Sequence, residues 1–539
     1  MMSRRSVRLE SSKPMSQNEI DETRGHLIRS ASTITPLTLL SRVTGYLRDK
    51  VIAVTLGAGL RSDAFFVAFR IPNMLREIIG EGAMSSAVIP VYVSVSAERS
   101  AEEARAFVGR VAATFALLLA GITVVGILMS PWLVSLLAGQ FRQTPGKFEL
   151  TVTLNRWMFP YILLVSLSAL CQALLNAHRR FAVSAAAPIL LNVSLILAAL
   201  FVSPRLEEPT YGLAAGVLLG GVLQIAIQLP QLSRLKAIGR PELGWRDPAV
   251  RSVLALMAPR LLAYGIGAVN TVVSTRFAAG LGDASVSHLY YANRLKELVL
   301  GGFAVSVATA ILPLLSRQAL TADREPFKEN LAFALRLIAF VTIPASVGLF
   351  VLQVPIVRVL FQGGRFGAAD TAATAGAMAA LSVGLFFFAG IRVIVPAFYA
   401  LKNTTLPVAA AFADAVTFLL LCFVLTGRFG LPGIGLAASA SAAVNVTILL
   451  TALRRREGRL RGRQIAASLA RVLAASALMG GLLLAALRVV PPDRIAGWSG
   501  AGLLAVLIGA ATLLYWFAAH LLGAPEPAEL RRVARRRSR

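Results

Sequence analysis

Stretches of about 20 apolar residues recur along this chain, each long enough to cross a bilayer as a helix. Fourteen are readable, at about 31–57, 63–90, 107–130, 151–177, 183–203, 211–230, 252–279, 285–312, 329–352, 371–400, 406–426, 432–453, 464–487 and 498–522. Inside a membrane every backbone polar group needs an internal partner, which leaves helices and closed barrels as spanning structures. Barrel strands alternate in polarity over segments of about 10 residues, and these runs do not. The expected fold class is therefore all-α integral membrane. Only 15% of the 539 residues are charged, against about a quarter in soluble domains.

Charge orders the spans. One set of connecting segments holds Arg179 and Arg180, then Arg234, Lys236, Arg240, Arg246 and Arg251, then Arg454, Arg455, Arg456, Arg459, Arg461 and Arg463. The C-terminal Arg531, Arg532, Arg535, Arg536, Arg537 and Arg539 belong with them. The alternating segments are poorer, with Arg61, Arg205 and Arg428 alone in theirs. The positive-inside rule puts the rich set and both termini in the cytoplasm. An even number of spans agrees. The formal net charge of +27 is thus a matter of topology, and nucleic acid is not an expected partner. Cys171 and Cys422 stand alone inside apolar spans, which excludes a disulfide framework or a cysteine metal site. Residues 1–30 are polar and lack the apolar core of a signal peptide. They read as a disordered cytoplasmic tail.

The first two spans carry charges that a lipid-facing helix would exclude: Arg42, Arg48, Asp49, Arg70, Arg76, Glu77 and Glu81. Each costs about 2.5–3.5 kcal/mol at the bilayer centre. Such groups face a bundle interior or a wet cavity and mark a pathway. The arginines point to an anionic substrate, because a guanidinium stays protonated and offers two parallel hydrogen bonds to phosphate or carboxylate.

The chain also nearly repeats itself. GAGLRSDAFFVAFRIPNMLREIIGEGAMSSAVIP begins at Gly57, and AAGLGDASVSHLYYANRLKELVLGGFAVSVATAILP begins at Ala278. QALLNAHRRFAVSAAAP, ending at Pro188, is echoed by VPAFYALKNTTLP, ending at Pro407. The copies lie six spans apart and so share one orientation. Parallel six-span repeats about an axis along the membrane normal are a secondary-transporter plan, with the substrate between the lobes. The expected division is an N-lobe at 31–233, a basic cytoplasmic linker at 234–251, a C-lobe at 252–453, two added helices at 464–522 and a basic cytoplasmic tail at 523–539. Gly146-Lys147 lacks the remainder of a P-loop, so no nucleotide chemistry is expected. The chain reads as a transporter rather than an enzyme.

SRVTGYLRD, GAGLRSDAFFVAFRIPNMLRE, EGAMSSAVIPVY, YYANRLKEL and AILPLLSR together resemble the MurJ (MviN) family of bacterial lipid II flippases. That family belongs to the multidrug/oligosaccharidyl-lipid/polysaccharide exporter superfamily. The resemblance covers roughly 31–522. It implies fourteen helices, two six-helix lobes and a terminal pair forming a lipid-tail groove. It implies flipping of undecaprenyl-diphosphate disaccharide-pentapeptide from the cytoplasmic to the periplasmic leaflet of the cell inner (plasma) membrane, with membrane lipids and cell-wall synthesis proteins as the other partners. The family's cavity arginines match Arg42, Arg48, Arg76 and Arg294, and its acidic gating or ion-pair partners match Asp49, Asp63 and Glu81. Two departures stand out. Asn293 precedes Arg294 where some members carry Asp. Some members also bind sodium with an acid on helix 7, but 252–279 has none, and Asp414 on helix 11 is the single candidate here. No cofactor is implied, and membrane potential, sodium and protons all stay open as the drive. An outward-moving anion favours the potential.

Bland roles compete for several of these residues. Arg48 and Asp49 make sense as a helix-end ion pair, Arg76 with Glu77 as a structural pair, and Asp63 as a helix N-cap. Arg70 is a further cavity candidate one residue before Ile71-Pro72. The spacings 42/48 and 70/76 turn about 240° on a straight helix, so convergence calls for bends near Gly45 and Pro72. The rival functions are a flippase for another polyprenyl-diphosphate glycan, a drug antiporter with cavity carboxylates, and a non-transporting scaffold for which the arginines are dispensable.

Overall fold

The computed structural model describes residues 17–79, 83–491 and 495–529, with side chains described except at 17–35, 77–79, 83, 259–264, 266 and 498. Among the described residues every regular element is a helix. The first half holds α1 (Gln17–Leu56), α2 (Leu60–Ile79), α3 (Ala83–Glu98), α4 (Ala101–Leu128), α5 (Ser130–Ala138), α6 (Lys147–Met158), α7 (Tyr161–Ala177), α8 (Phe181–Leu197), α9 (Pro209–Ala226) and α10 (Leu229–Arg234). The second holds α11 (Pro248–Ala279), α12 (Ser285–Val299), α13 (Val305–Gln318), α14 (Glu325–Val351), α15 (Gln353–Phe361), α16 (Ala368–Ser382), α17 (Leu385–Ala400), α18 (Thr405–Phe429) and α19 (Leu431–Glu457). Finally come α20 (Gly462–Val489) and α21 (Gly497–Leu521).

Ten helical segments are long and apolar enough to cross a membrane, or eleven if the pair Ala368–Ser382 and Leu385–Ala400, bent by 46°, is one span. They fall on eleven of the expected stretches. The others lie on α1, on α2 with α3, and on α11. α1 and α2 fall short because of the charges that define the site. α1 begins at Gln17 rather than near residue 31. Residues 17–30 contain no proline and one glycine, Gly25, so nothing local stops the helix from extending upstream. The expected single span 285–312 is α12 and α13 joined through a π turn at Leu300–Ala304.

α1 packs on α8, α8 on α9, α2 on α6 and α3 on α7. In the second half α18 packs on α19, α16 on α19 and α14 on α17. The sequence echo around 179 and 402 has a structural counterpart. α7 and α17 both end in turns whose amides reach back five residues, Arg180 N to Leu175 O and Asn403 N to Phe398 O. Each turn puts a non-glycine residue at positive φ, Arg179 at 58° and Lys402 at 55°.

The two added helices are fastened to the body. α20 packs on α14 and α21. The segment after α21 folds back, burying Glu526, which accepts from Ser468 Oγ at 2.6 Å and pairs with Arg336 of α14 at 3.4 Å. Tyr515 Oη donates to Phe340 O at 2.8 Å.

The connection between α10 and α11 is likewise seated, along α4. Arg110 Nη1 lies 2.9 Å from Asp247 Oδ2, and Gly244 N donates to Thr114 Oγ1 at 3.0 Å. Gly109 and Gly239 make the seat close: a Cβ on either would overlap a backbone carbonyl, of Arg240 and Arg105 respectively. Burial raises the Asp247 carboxyl, but bonds from Arg110 and the Ala249 amide outweigh it and hold it below the usual carboxylate range.

Candidate functional site

Asp49 is the centre of the charged cluster. Its Oδ1 accepts from Arg48 Nη2 at 2.7 Å and from Tyr290 Oη at 3.1 Å. Its Oδ2 accepts from Arg294 Nε at 2.6 Å. Arg48 Nη1 donates in turn to Asn192 Oδ1 at 3.0 Å. Asn192 Nδ2 donates to Ser41 O and Thr44 Oγ1, which locks it to α1. Asp49 and Arg48 are buried, whereas the Arg294 side chain is 42% exposed. Arg42, about two turns away, is exposed and donates to Gly301 O at 2.6 Å in the π turn.

One carboxylate against three guanidiniums leaves the cluster with excess positive charge. Arg48 and Asp49 lie inside the bundle, 9% and 1% exposed, with Arg48 about 12 Å along α1 from its end at Leu56. A low-dielectric setting strengthens any anion bound there.

Arg42 and Arg48 both reach residues of α12 and its π turn without a break in α1. Side chains of α12 and the carbonyl of its π turn reach α1: Asp49 meets Tyr290 and Arg294, Gly45 lies against Arg294, and Arg42 meets Gly301. Long side chains on one neighbouring helix close the gap for which the sequence spacing called for a bend. Arg76, on α2, donates from Nε to Asn73 Oδ1 at 3.0 Å. Arg70 is half-buried on the same helix. Glu81, and the side chain of Glu77, lie outside the described residues.

Asp63 belongs to a second cluster and is not a helix cap. Its Oδ2 accepts from Lys147 Nζ at 2.8 Å, and its Oδ1 from Ser287 N at 2.8 Å and Ser287 Oγ at 2.6 Å. The cap role falls to Ser62, whose Oγ accepts from Gly59 N. Lys147 also reaches Asp283 Oδ1 at 2.6 Å and lies over the Phe141 ring at 4.1 Å.

The contact between Asp63 and Ser287 spans 224 residues, and the same offset relates Phe66 to Tyr290 and Arg70 to Arg294. Phe66 and Tyr290 stack with centroids 4.0 Å apart. At this 224-residue offset, matching positions of the two sequence copies touch one another.

At the Leu56 end the two copies are sealed. Arg365 N donates to Val54 O at 2.9 Å. Gly57 and Gly364 adopt positive φ, and a Cβ on Gly364 would overlap the Val54 carbonyl. Phe66, Tyr291, Phe361 and Phe366 form a linked aromatic set beneath. His288 Nε2 lies 3.0 Å from Asp370 Oδ1.

Asp414 accepts from Asn270 Nδ2 of α11 at 2.7 Å. Asp414 Oδ1 and Asn270 Oδ1 are both buried without a hydrogen-bond partner. Two orphaned oxygens fit a hard cation. Among the described residues no group of three His, Cys, Asp or Glu side chains gathers as a metal site.

Sequence reasoning did not single out Asn192, Tyr290, Asp283 or Ser287 as site residues, and it treated Lys147 only as a failed phosphate loop. Tyr290 lies within the repeated motif, and aligning Phe66 with Tyr290 and Arg70 with Arg294 points to Ser287 as the counterpart of Asp63.

The lipid II flippase MurJ family model matches residues 52–496. A probable lipid II flippase MurJ of Vibrio cholerae is 36% identical over 484 residues, covering 88% of this chain and 91% of that protein. The lipid II flippase MurJ of Burkholderia cenocepacia is 36% identical over 435 residues, covering 80% and 84%. A solved lipid II flippase MurJ in an inward closed conformation superposes with a TM-score of 0.73 at 26% identity, covering 90% of this chain and 98% of that one. An inward-facing multidrug transporter of the MATE family shares the fold, with a TM-score of 0.65 at 16% identity over 78% of this chain and 95% of its own. The chain is a multi-pass membrane transporter, not an enzyme, and it belongs to the lipid II flippase MurJ family.

Proposed function

We propose that this protein carries lipid II, undecaprenyl-diphosphate disaccharide-pentapeptide, from the cytoplasmic to the periplasmic leaflet by alternating access. The architecture proposed with it is fourteen spans in two parallel six-helix lobes, 31–233 and 252–453, with helices 13 and 14 added and both termini cytoplasmic. The observation that carries the reading is the Asp49 cluster, in which arginines from both repeat copies share one internal carboxylate. Asp49 stands where a substrate phosphate would bind. Arg294 and Arg42, exposed, engage the diphosphate, while Arg48, held by Asn192 and Asp49, positions them and adds field. Arg70 and Arg76 extend the cationic surface along α2.

Binding a dianion at this cluster offsets the excess positive charge and competes with Asp49 for Arg294. That exchange loosens the link between the copies at mid-membrane. The sealed Leu56 end, with Lys147, Asp63 and Ser287, is the periplasmic gate in this reading. Moving the anion outward is favoured by a negative interior, worth about 2.3 kcal/mol per charge per 100 mV. The orphaned oxygens of Asn270 and Asp414 offer sodium a site that would add to that drive.

The test is replacement of the native flippase in a depletable strain by R294A and R42A variants, with leaflet accessibility of lipid II as the readout. Loss of growth and retention of lipid II on the cytoplasmic side are expected. Full growth of R294A would overturn the reading.

A further inference from the structure

We infer that a phospholipid sits in the groove between α2, α4 and α11, with one acyl chain along α4 and its phosphate at Arg251. The site is independent of the diphosphate cluster and would exist in a transporter of any cargo.

The groove has a volume of about 720 Å³. Its walls include Ile71 and Leu75 of α2, Leu117 and Val125 of α4, Met129 just after α4, Leu133 of α5 and Val272 of α11, with Trp245 at one end. All of its lining residues are apolar or aromatic. Leu117, Val125 and Met129 are 51%, 55% and 42% exposed, so the groove opens to the surroundings of α4. From Leu117 to Met129 the helix rises about 18 Å, slightly more than one leaflet of a core about 30 Å thick. That length suits one acyl chain and is short for a polyprenyl chain spanning both leaflets.

Two glycines of α4 shape the space in opposite ways. At Gly126 a Cβ would overlap the Phe159 ring, so the helix approaches the floor there. At Gly121 a Cβ would meet nothing within 4 Å, so its missing side chain leaves the groove open.

The Trp245 end is built rather than incidental. Gly244 is fixed to Thr114, and Asp247 to Arg110, which holds the Trp245 ring against α4. Arg251, exposed, donates from Nε to Trp245 O at 3.0 Å. Its guanidinium therefore stands at the mouth, and Arg246 is exposed beside it. An indole at the interface with cations outside it is the usual seat of a lipid headgroup. Cationic charge at one end and hydrocarbon along the rest select a single-headed amphiphile. The bound chain would lie as a wedge between α2 and α11.

The test uses the full chain. It is purified in detergent for mass spectrometry of retained lipid, then reconstituted in nanodiscs of phosphatidylethanolamine and phosphatidylglycerol carrying a diazirine in one acyl chain. Wild type should retain a phospholipid through purification and take label on α4 between Leu117 and Met129. Gly121→Trp fills the groove and should lose both, with its melting temperature unchanged. Arg251→Gln should lose retention. Equal retention and labelling in wild type and Gly121→Trp would mean bulk lipid only and would overturn the proposal. Removal of the label by added undecaprenyl diphosphate would overturn it in favour of the cargo's own chain. Should Gly121→Trp fail to fold, unchanged retention in Arg251→Gln overturns it alone.

Discussion

Lys147 Nζ lies 2.8 Å from Asp63 Oδ2, and both side chains are sealed from solvent. The pair is completed by Asp283, whose side chain is half exposed, and by two bonds from Ser287. A buried pair of this kind adds little over an apolar pair of the same shape, yet breaking it from one side costs about 3–5 kcal/mol. Lys147→Met should therefore lower the melting temperature in detergent sharply. Asp63→Asn combined with Lys147→Met should recover part of that loss. A double variant no better than the single would show that the two residues act apart.

Asp49 keeps Arg48 and Arg294 together. Asp49→Ala leaves two like charges without their acceptor and should abolish complementation. Inorganic diphosphate supplies the missing anion, so it should raise the melting temperature of Asp49→Ala more than that of wild type. An equal rise in both would argue against an anion seat there.

Gly364 combines positive φ with a backbone contact to Val54. Any side chain pays about 1–2 kcal/mol for the left-handed conformation and must also displace the Val54 carbonyl. Gly364→Ala should open the Leu56 end. A cysteine at Ser62, buried in the sealed form, should then react faster with an impermeant maleimide from outside.

Asp247 titrates below the usual carboxylate range because Arg110 and the Ala249 amide favour its charged form over burial. Its pKa is lower folded than unfolded, so its contribution to stability is complete above the ordinary value of about 3.9 and is lost as pH falls through the depressed one. Melting curves from pH 5 downward should fall more steeply for wild type than for Asp247→Asn. Parallel curves would refute the assignment.

Asn270 and Asp414 face each other with one orphaned oxygen each. Sodium, compared with potassium at equal ionic strength, should raise the melting temperature of wild type and leave Asp414→Asn unmoved. The same small rise in both would show that the two oxygens hold no ion.

Much of this was legible in the sequence for definite reasons. Apolar length marks a span, and it located the helices from Ala101 onward. Misplaced charge drew attention to Arg42, Arg48 and Asp49, whereas Arg294 entered through the family resemblance. What stayed hidden was partnership. Asp63 has the position of a cap, and only the fold brings Lys147 to it from 84 residues away. Asn192 looks like any polar residue in an apolar helix until Arg48 is seen against it. The six-residue spacing of Arg42 and Arg48 called for a bend because a spacing describes one helix, whereas these two arginines are organised by another.

That other helix contains a surplus residue. In the π turn at Leu300–Ala304 the backbone takes five residues where an α-helix takes about four. Everything before the turn is thereby out of phase with everything after it by about 100°. Arg294, before the turn, faces Asp49. Deleting one residue from the turn would bring the helix back into regular phase and rotate Arg294 away from Asp49. The angular setting of the cationic cluster is thus held by chain length in one turn, where Arg42 bonds the carbonyl of Gly301.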